Sequence, residues 1–209
     1  MTNITEEAMP PERQKLVVNV GCGPVRQLTR SPLFASWRQL RVDIDESVDP
    51  DIIADLTDLS PIRDDIADAV WSSHCVEHLY RHQVRGAVAE FYRILGEDGF
   101  MVMLVPDLQA VAENIVEDKF DEPIYNAPAG SVSAHDMFYG FGMAIAGGQT
   151  SMAHKCGFTP TGLVNLMNES QFAEYAIRRL PSLELALVAR KTLGTEETNC
   201  EALLQALAL

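Results

Sequence analysis

An apolar run that empties into a glycine turn constrains this chain more than any other stretch. Leu16-Val-Val-Asn-Val20 reads as a buried strand, and Gly21-Cys22-Gly23 follows it without a bulky side chain. A second short strand, Leu40-Arg-Val-Asp-Ile-Asp45, ends in acid. Its Asp43 follows Gly21 by about 20 residues, the interval between a glycine turn and the acid of a neighbouring strand in nucleoside-binding α/β proteins. Glycines admit a ligand close to the backbone, and a carboxylate at a strand tip accepts hydrogen bonds from a ribose diol. This pairing predicts an α/β sheet with a nucleoside site at its edge.

The rest of the chain keeps the same rhythm. Strands are expected at 16–20, 39–42, 52–54, 69–72 and 100–105. Between the fourth and fifth, Val84, Ala87, Val88, Phe91, Ile94 and Leu95 recur at helical spacing, so a helix is expected over 83–95, stopped by Gly96-Glu-Asp-Gly99. A helix over 107–117 follows, then a long Gly/Ala/Met-rich segment over 119–158 that reads as a lid or substrate insertion, with a short helix around 133–145. Thr159-Pro160 starts another helix, with a threonine cap and a proline in the first turn. Ala173–Arg179 and Leu183–Arg190 read as a closing hairpin. The expected fold is a doubly wound, Rossmann-like α/β sheet of seven strands, mostly parallel, with a C-terminal antiparallel hairpin. Its expected parts are a flexible tail over 1–14, one domain over 15–191, and a leucine-rich helical tail over 192–209 that packs on its own domain or, in a homodimer, on a second chain.

Composition narrows the partners. Sixteen basic against thirty acidic residues leave a formal charge of −14, which argues against nucleic acid, since phosphate binding needs a basic surface. There is no apolar run long enough for a membrane span, and Met1–Glu7 has neither the basic nor the apolar part of a secretory signal. Cys22, Cys75, Cys156 and Cys200 are far apart with no CxxC pair, so neither a disulfide scaffold nor a metal site is expected, and a reducing cytoplasm fits the chain.

The turn itself discriminates among nucleosides. A dinucleotide fingerprint needs a third glycine, and Gly21-Cys-Gly-Pro-Val-Arg26 has Arg26 there. A P-loop needs Gly-Lys-Ser/Thr, which is absent. A ligand with adenine and ribose but no phosphate suits the shorter turn, and S-adenosyl-L-methionine is one.

Four motifs in register carry a resemblance to class I S-adenosylmethionine-dependent methyltransferases of the small, single-domain bacterial kind. Val18-Asn-Val-Gly-Cys-Gly-Pro24 resembles their cofactor loop, and Val42-Asp-Ile-Asp45 their ribose-binding strand end. Ala54-Asp-Leu-Thr57 resembles the adenine-contacting segment, and Trp71-Ser-Ser-His-Cys-Val-Glu-His-Leu79 the S-x-x-x-E-H segment after strand four. Glu90-Phe-Tyr-Arg-Ile-Leu-Gly-Glu-Asp-Gly99 looks like the R-x-L-K-P-G-G helix end, but with Gly96-Glu97-Asp98 for Lys-Pro-Gly.

The resemblance implies an enzyme that binds S-adenosyl-L-methionine and releases S-adenosyl-L-homocysteine. It implies a cofactor site of Asn19, Gly21, Cys22, Gly23, Asp43, Ile44, Asp55, Leu56, Ser73 and His74. Asp45 is the rival to Asp43 for the ribose. Asp55 has a second reading as a turn cap before Thr57, and Glu77 and His78 as braces of the next helix. Cys22 suits the loop by its size, because methyl transfer from a sulfonium needs no enzyme nucleophile. The acceptor side is read as His154, His135 and Tyr139 from the lid, with a small-molecule or sugar-like acceptor. Met137, Phe138, Phe141 and Met143 are candidates either for an apolar pocket or for the face that seats the lid. The alternative to an enzyme is a nucleoside-binding module of the same fold without turnover.

Overall fold

The computed structural model describes residues 13–24, 26–28, 30–127 and 130–209, so most of the expected N-terminal tail lies outside the described residues. Strand β1 (Leu16–Val20) is buried along its whole length, as its unbroken apolar run requires of a central strand. Strand β2 (Arg38–Asp43) and the short β3 (Ile52–Ile53) lie to one side of it, and β4 (Ala67–Ser73) to the other. Helix α1 (Val84–Ile94) buries Val84, Ala87, Val88, Phe91 and Ile94, the stripe its spacing predicts. Strand β5 (Leu95–Pro106) begins without a break, earlier than the glycine stop at 96–99 implies, because Leu95 already pairs with Ala67 before the register shifts.

Helix α2 (Leu108–Val116) is capped by Asp107, whose Oδ1 accepts from the Gln109 and Ala110 amides at 3.0 and 3.4 Å. The lid segment departs from the single short helix expected. It opens as a separate two-stranded sheet, β6 (Pro123–Ala127) with β7 (Gly130–Ser133), and continues as α3 (Ala134–Tyr139) and α4 (Gly142–Ala146). Ser133 and Asp136 form a reciprocal capping box that fixes where α3 starts. Gly140, at φ 101°, separates the two helices, and a Cβ there would lie 2.1 Å from the Met152 carbonyl oxygen. A continuous helix cannot pass that point.

Helix α5 (Pro160–Asn168) starts at the expected cap, with the Thr159 side chain accepting from the Gly162 amide. Strands β8 (Glu174–Leu180) and β9 (Glu184–Arg190) close the sheet in the order β3-β2-β1-β4-β5-β9-β8. Strand β9 is antiparallel to both neighbours, and the pairs among β1 to β5 are parallel. This is the seven-stranded, mostly parallel sheet with a C-terminal hairpin that the sequence predicts.

Alternation along the strands splits the core between two faces. Val18, Val20, Val70, Met101, Met103 and Leu187 face α1 and α5. Val17, Ala69, Trp71, Val102 and Val188 face the other way. On that second face the link from β1 to β2 forms no α-helix among the described residues, only a 3-10 turn at Pro32–Phe34. Phe34 fills the gap instead, with its ring edge-on to Trp37 at 5.2 Å and to Trp71 at 5.7 Å. The remaining cover is α6 (Cys200–Ala206), which buries Cys200 and Leu204 on the sheet, with Leu207 and Leu209 just beyond its end. Each such leucine contributes about 1.5–3 kcal/mol of burial. The C-terminal leucines therefore complete the domain's own core.

Candidate functional site

The site lies along the C-terminal ends of β1, β2, β4 and β5, where sheet order reverses between β1 and β4. Gly21 leaves β1 at φ 66° and donates its amide to the Val42 carbonyl at 2.9 Å. A Cβ on Gly21 would lie 2.0 Å from Cys75 Sγ, so this glycine lets β1 pack on the turn after β4. Gly23, at φ 55°, has nothing within 4 Å of where a Cβ would stand, which leaves the far side of the loop open. Asn19 and Cys22 are buried beneath the loop, and burial chiefly pushes the Cys22 thiol pKa up. Arg41, 5% exposed, holds the loop from below by donating to the carbonyls of Gly23 and Val48 at 2.8 and 3.1 Å. That brace is absent from the sequence reading, and nothing in the residue pattern distinguishes Arg41 from a solvated strand arginine.

The Asp43 carboxylate accepts from the Gly23 amide at 2.8 Å and from the Asp45 amide at 3.0 Å, which couples the loop to the strand end. Each oxygen keeps acceptor capacity beyond these bonds. Asp45 instead caps the next turn, accepting from the Ser47 amide at 2.9 Å. Asp55 accepts from the amide and the hydroxyl of Thr57 at 2.8 and 2.6 Å, both on Oδ1, which matches its reading as a turn cap. Ile44 and Ile53 expose apolar side chains at these strand ends, while Leu56 is buried.

After β4 the chain enters an ionic network. Ser73 is half-buried at the strand's last position, and His74 follows at φ 51°, a left-handed conformation rarely adopted by residues other than glycine. His74 Nε2 meets Glu184 Oε1, and its Nδ1 lies 3.3 Å from Glu77 Oε1. Arg30 adds two contacts to Glu184 at 2.5 and 3.1 Å, and the Ser182 hydroxyl a further one. Burial works against the His74 imidazolium, but the hydrogen bonds and charges of Glu184 and Glu77 outweigh it and raise its pKa to about 9. Burial likewise raises the Glu184 carboxyl, yet His74, Arg30 and Ser182 bring it down to about 2. His74 is thus a cation at neutral pH. No spacing rule could pair it with Glu184, which is 110 positions away.

Beside this network opens a cleft of about 170 Å³, lined by His74, His78, Tyr125, Met137, Phe141 and His154 among others. His154 is fixed there by its backbone amide, which donates to the Tyr139 carbonyl at 3.0 Å. Burial chiefly keeps its pKa below the ordinary histidine value, so the imidazole is neutral. His135 and Tyr139 are not in this cleft. They stand exposed on the outer side of α3, with ring centroids 5.1 Å apart and next to Phe120 at 5.1 and 6.2 Å. Of the apolar lid candidates, Met137 and Phe141 line the cleft, whereas Phe138 and Met143 are exposed. Glu77 has no exposed surface, and its backbone carbonyl accepts from the amides of Lys155 and Cys156 at 2.9 and 3.2 Å.

The family described as "methyltransferase domain" matches residues 18–103, from within β1 to within β5. The match thus covers the glycine turn, Asp43, Asp55 and His74 and ends before the lid. No curated protein matches the sequence. The fold is shared with solved structures at low identity. A SAM-dependent methyltransferase from Archaeoglobus fulgidus aligns at 15% identity over 85% of this chain and 86% of its own, with a TM-score of 0.58. A SAM-dependent methyltransferase from Methanosarcina mazei aligns at 13% identity over 87% and 94%, with a TM-score of 0.57. The 1,6-didemethyltoxoflavin-N1-methyltransferase of Burkholderia thailandensis, solved with 1,6-didemethyltoxoflavin and S-adenosylhomocysteine bound, aligns at 16% identity over 86% and 72%, with a TM-score of 0.55.

Proposed function

We propose that this chain, a class I S-adenosylmethionine-dependent methyltransferase, transfers its methyl group to a small-molecule acceptor, sugar-like in chemistry, held in the cleft under the lid. The observation that carries the reading is the juncture at His74, which closes the nucleoside-type edge on one side and lines the apolar cleft on the other. The residues fit the cofactor. Asp43 has acceptor capacity at the strand tip, the open side of Gly23 admits a ligand to the loop, and Ile44 and Ile53 offer apolar surface to an adenine. An edge carrying Asp43, Asp45 and Asp55 also favours a cationic ligand.

S-adenosylmethionine supplies an already activated methyl group, so the protein's work is positional. The cleft walls hold an acceptor atom in line and exclude water. An acceptor hydroxyl also needs its proton taken. Of the three lid residues nominated from sequence, His154 alone lines the cleft, and we assign the proton to it, taken directly or through a bound ion as argued below. His74, already protonated, cannot accept one and instead holds Glu77 and Glu184 in place. The acidic surface disfavours a nucleic-acid substrate, and among the described residues no helix is long and apolar enough to cross a membrane. The four scattered cysteines, with no CxxC pair, support a reducing cytoplasm.

Calorimetry with S-adenosylhomocysteine and NAD tests the cofactor half, with heat expected only for the sulfur nucleoside. A screen of metabolite extracts for transfer of a labelled methyl group then tests the acceptor half. Labelled product in a small-molecule fraction supports an enzyme. Tight cofactor binding with label in no fraction supports the binding module without turnover, which the intact cleft makes the weaker reading.

A further inference from the structure

Glu77 has a burial that methyl transfer alone does not explain. Its side chain has essentially no exposed surface. His74 Nδ1 stands 3.3 Å from Oε1, outside aligned hydrogen-bond geometry, and Oε2 has no hydrogen-bond donor. A buried carboxylate so incompletely partnered is costly unless a further positive group meets it. Across from it stand His78 and His154, and one ligand atom from each of the three residues lies within 4.8 Å of the others.

The two imidazoles are oriented by the backbone. His78 Nδ1 lies 3.3 Å from the Ala153 carbonyl oxygen, and His154 Nδ1 lies 3.1 Å from that of Met137. A carbonyl only accepts, so each Nδ1 is the donor in its pair, and each Nε2 is the nitrogen left to face a ligand. An imidazole bonded through one nitrogen to a carbonyl and free at the other is the arrangement of a metal-ligating histidine. The three residues are also held in mutual register by main-chain bonds. The amides of Lys155 and Cys156 both donate to the Glu77 carbonyl, and the His154 amide to that of Tyr139.

We propose that Glu77, His78 and His154 form a site for one divalent first-row transition-metal ion of the zinc or cobalt kind. Two imidazoles and one carboxylate suit such ions and not magnesium or calcium, which take all-oxygen shells. Bonds of about 2.0–2.1 Å set tetrahedral donors roughly 3.3 Å apart, so the ligand atoms, now within 4.8 Å of one another, close by up to about 1.5 Å when the ion binds. Three protein ligands leave a coordination position, and His78 and His154 both line the cleft into which it would open. There the ion would take an acceptor oxygen and lower its pKa, with His154 serving as ligand rather than base. That use rests on the acceptor reading above; the ion site does not.

The test uses the full chain stripped with a chelator and titrated with Co2+, read by ligand-field absorption in the visible and by the shift in thermal midpoint. One Co2+ per chain is expected, displaced by Zn2+ and unaffected by excess Mg2+. His154→Ala and His78→Ala should each weaken binding by roughly 100-fold or more, set against the 10–100-fold typical of losing even an outer-shell partner. Glu77→Gln should weaken it while keeping the side chain's shape, and exposed His82→Ala should leave it unchanged. Retained S-adenosylhomocysteine binding shows that each variant is folded. Absence of stoichiometric Co2+ binding in a chain that binds S-adenosylhomocysteine overturns the ion site and leaves the cofactor assignment standing. Co2+ binding unchanged in the His78→Ala/His154→Ala double variant overturns it equally.

Discussion

On the side of the sheet edge proposed for the cofactor, Asp43, Asp45 and Asp55 each accept a hydrogen bond from the backbone amide two residues on. On the side proposed for the acceptor, the ionisable groups are gathered from the whole chain: Arg30 meets Glu184 across 154 positions, and His78 meets Ala153 across 75. The first kind of site is written into short turns and survives as long as those turns do. The second exists only when the lid, the β4 turn and the β8–β9 hairpin are all docked. A loop and a network so built should fail differently, and substitutions on each side show it.

The largest effect is expected at Glu184. Replacing it with Gln leaves Arg30 and His74 facing a neutral partner, and breaking a buried pair in this way costs about 3–5 kcal/mol. Because Arg30 and His74 are partly solvated, with 38% and 31% of their side chains exposed, the lower end of that range, about 3 kcal/mol, applies. A carboxyl held at about 2 in the folded chain, against an ordinary 4.5, stabilises the fold above the higher value and loses that contribution as pH falls through the lower. Urea unfolding of wild type and Glu184→Gln should therefore show a wide gap near neutrality that narrows toward pH 2. A gap that stays constant with pH would remove the ion pair as its cause.

Next comes the cofactor side. Asp43→Ala should weaken S-adenosylhomocysteine binding by about 1.5–3 kcal/mol, the range for hydrogen bonds to a charged group. Asp45→Ala should cost stability by about 0.5–2 kcal/mol, the worth of a cap, with affinity retained. Calorimetry beside thermal unfolding separates the two, and the reverse pattern would move the ribose to Asp45.

Gly21→Ala probes the packing between the sides. The new methyl group meets Cys75 Sγ and should destabilise by about 1–3 kcal/mol. Adding Cys75→Ala should recover part of that loss, and a double-mutant cycle with no coupling would contradict the contact. The smallest effect is expected at His135→Ala, on the outer face of α3: less than about 0.5 kcal/mol in stability, with methyl transfer unchanged. A large loss of turnover there would bring the outer face of α3 into the acceptor site.

Much of the parallel sheet was legible from the residues. β1 and the glycine turn, the stripe on α1, and the Thr159-Pro160 start of α5 all appear where pattern and capping place them, since each depends on neighbours a few positions away. The β6–β7 sheet was not, because its half-buried residues show no alternation, and the break at Gly140 is imposed by the Met152 carbonyl. The site divides along the same line. The glycine turn and the acid-tipped strand beside it could be read from the chain, whereas His135, Tyr139 and His154 looked equivalent until the lid's docking set His154 in the cleft and the other two outside it.

The sequence by itself determined the kind of edge this sheet carries: apolar strands, a turn without bulk, and acids whose bonds close within a few residues. Short-range sterics and hydrogen bonding specify these before the chain is compact. Only the tertiary structure decided that Glu184 would hold His74 and that α6 would cover the face without a β1–β2 helix. It likewise decided that Glu77, His78 and His154 would converge. These arrangements depend on buried partners brought from far along the chain, and no local pattern encodes which group a buried charge will meet.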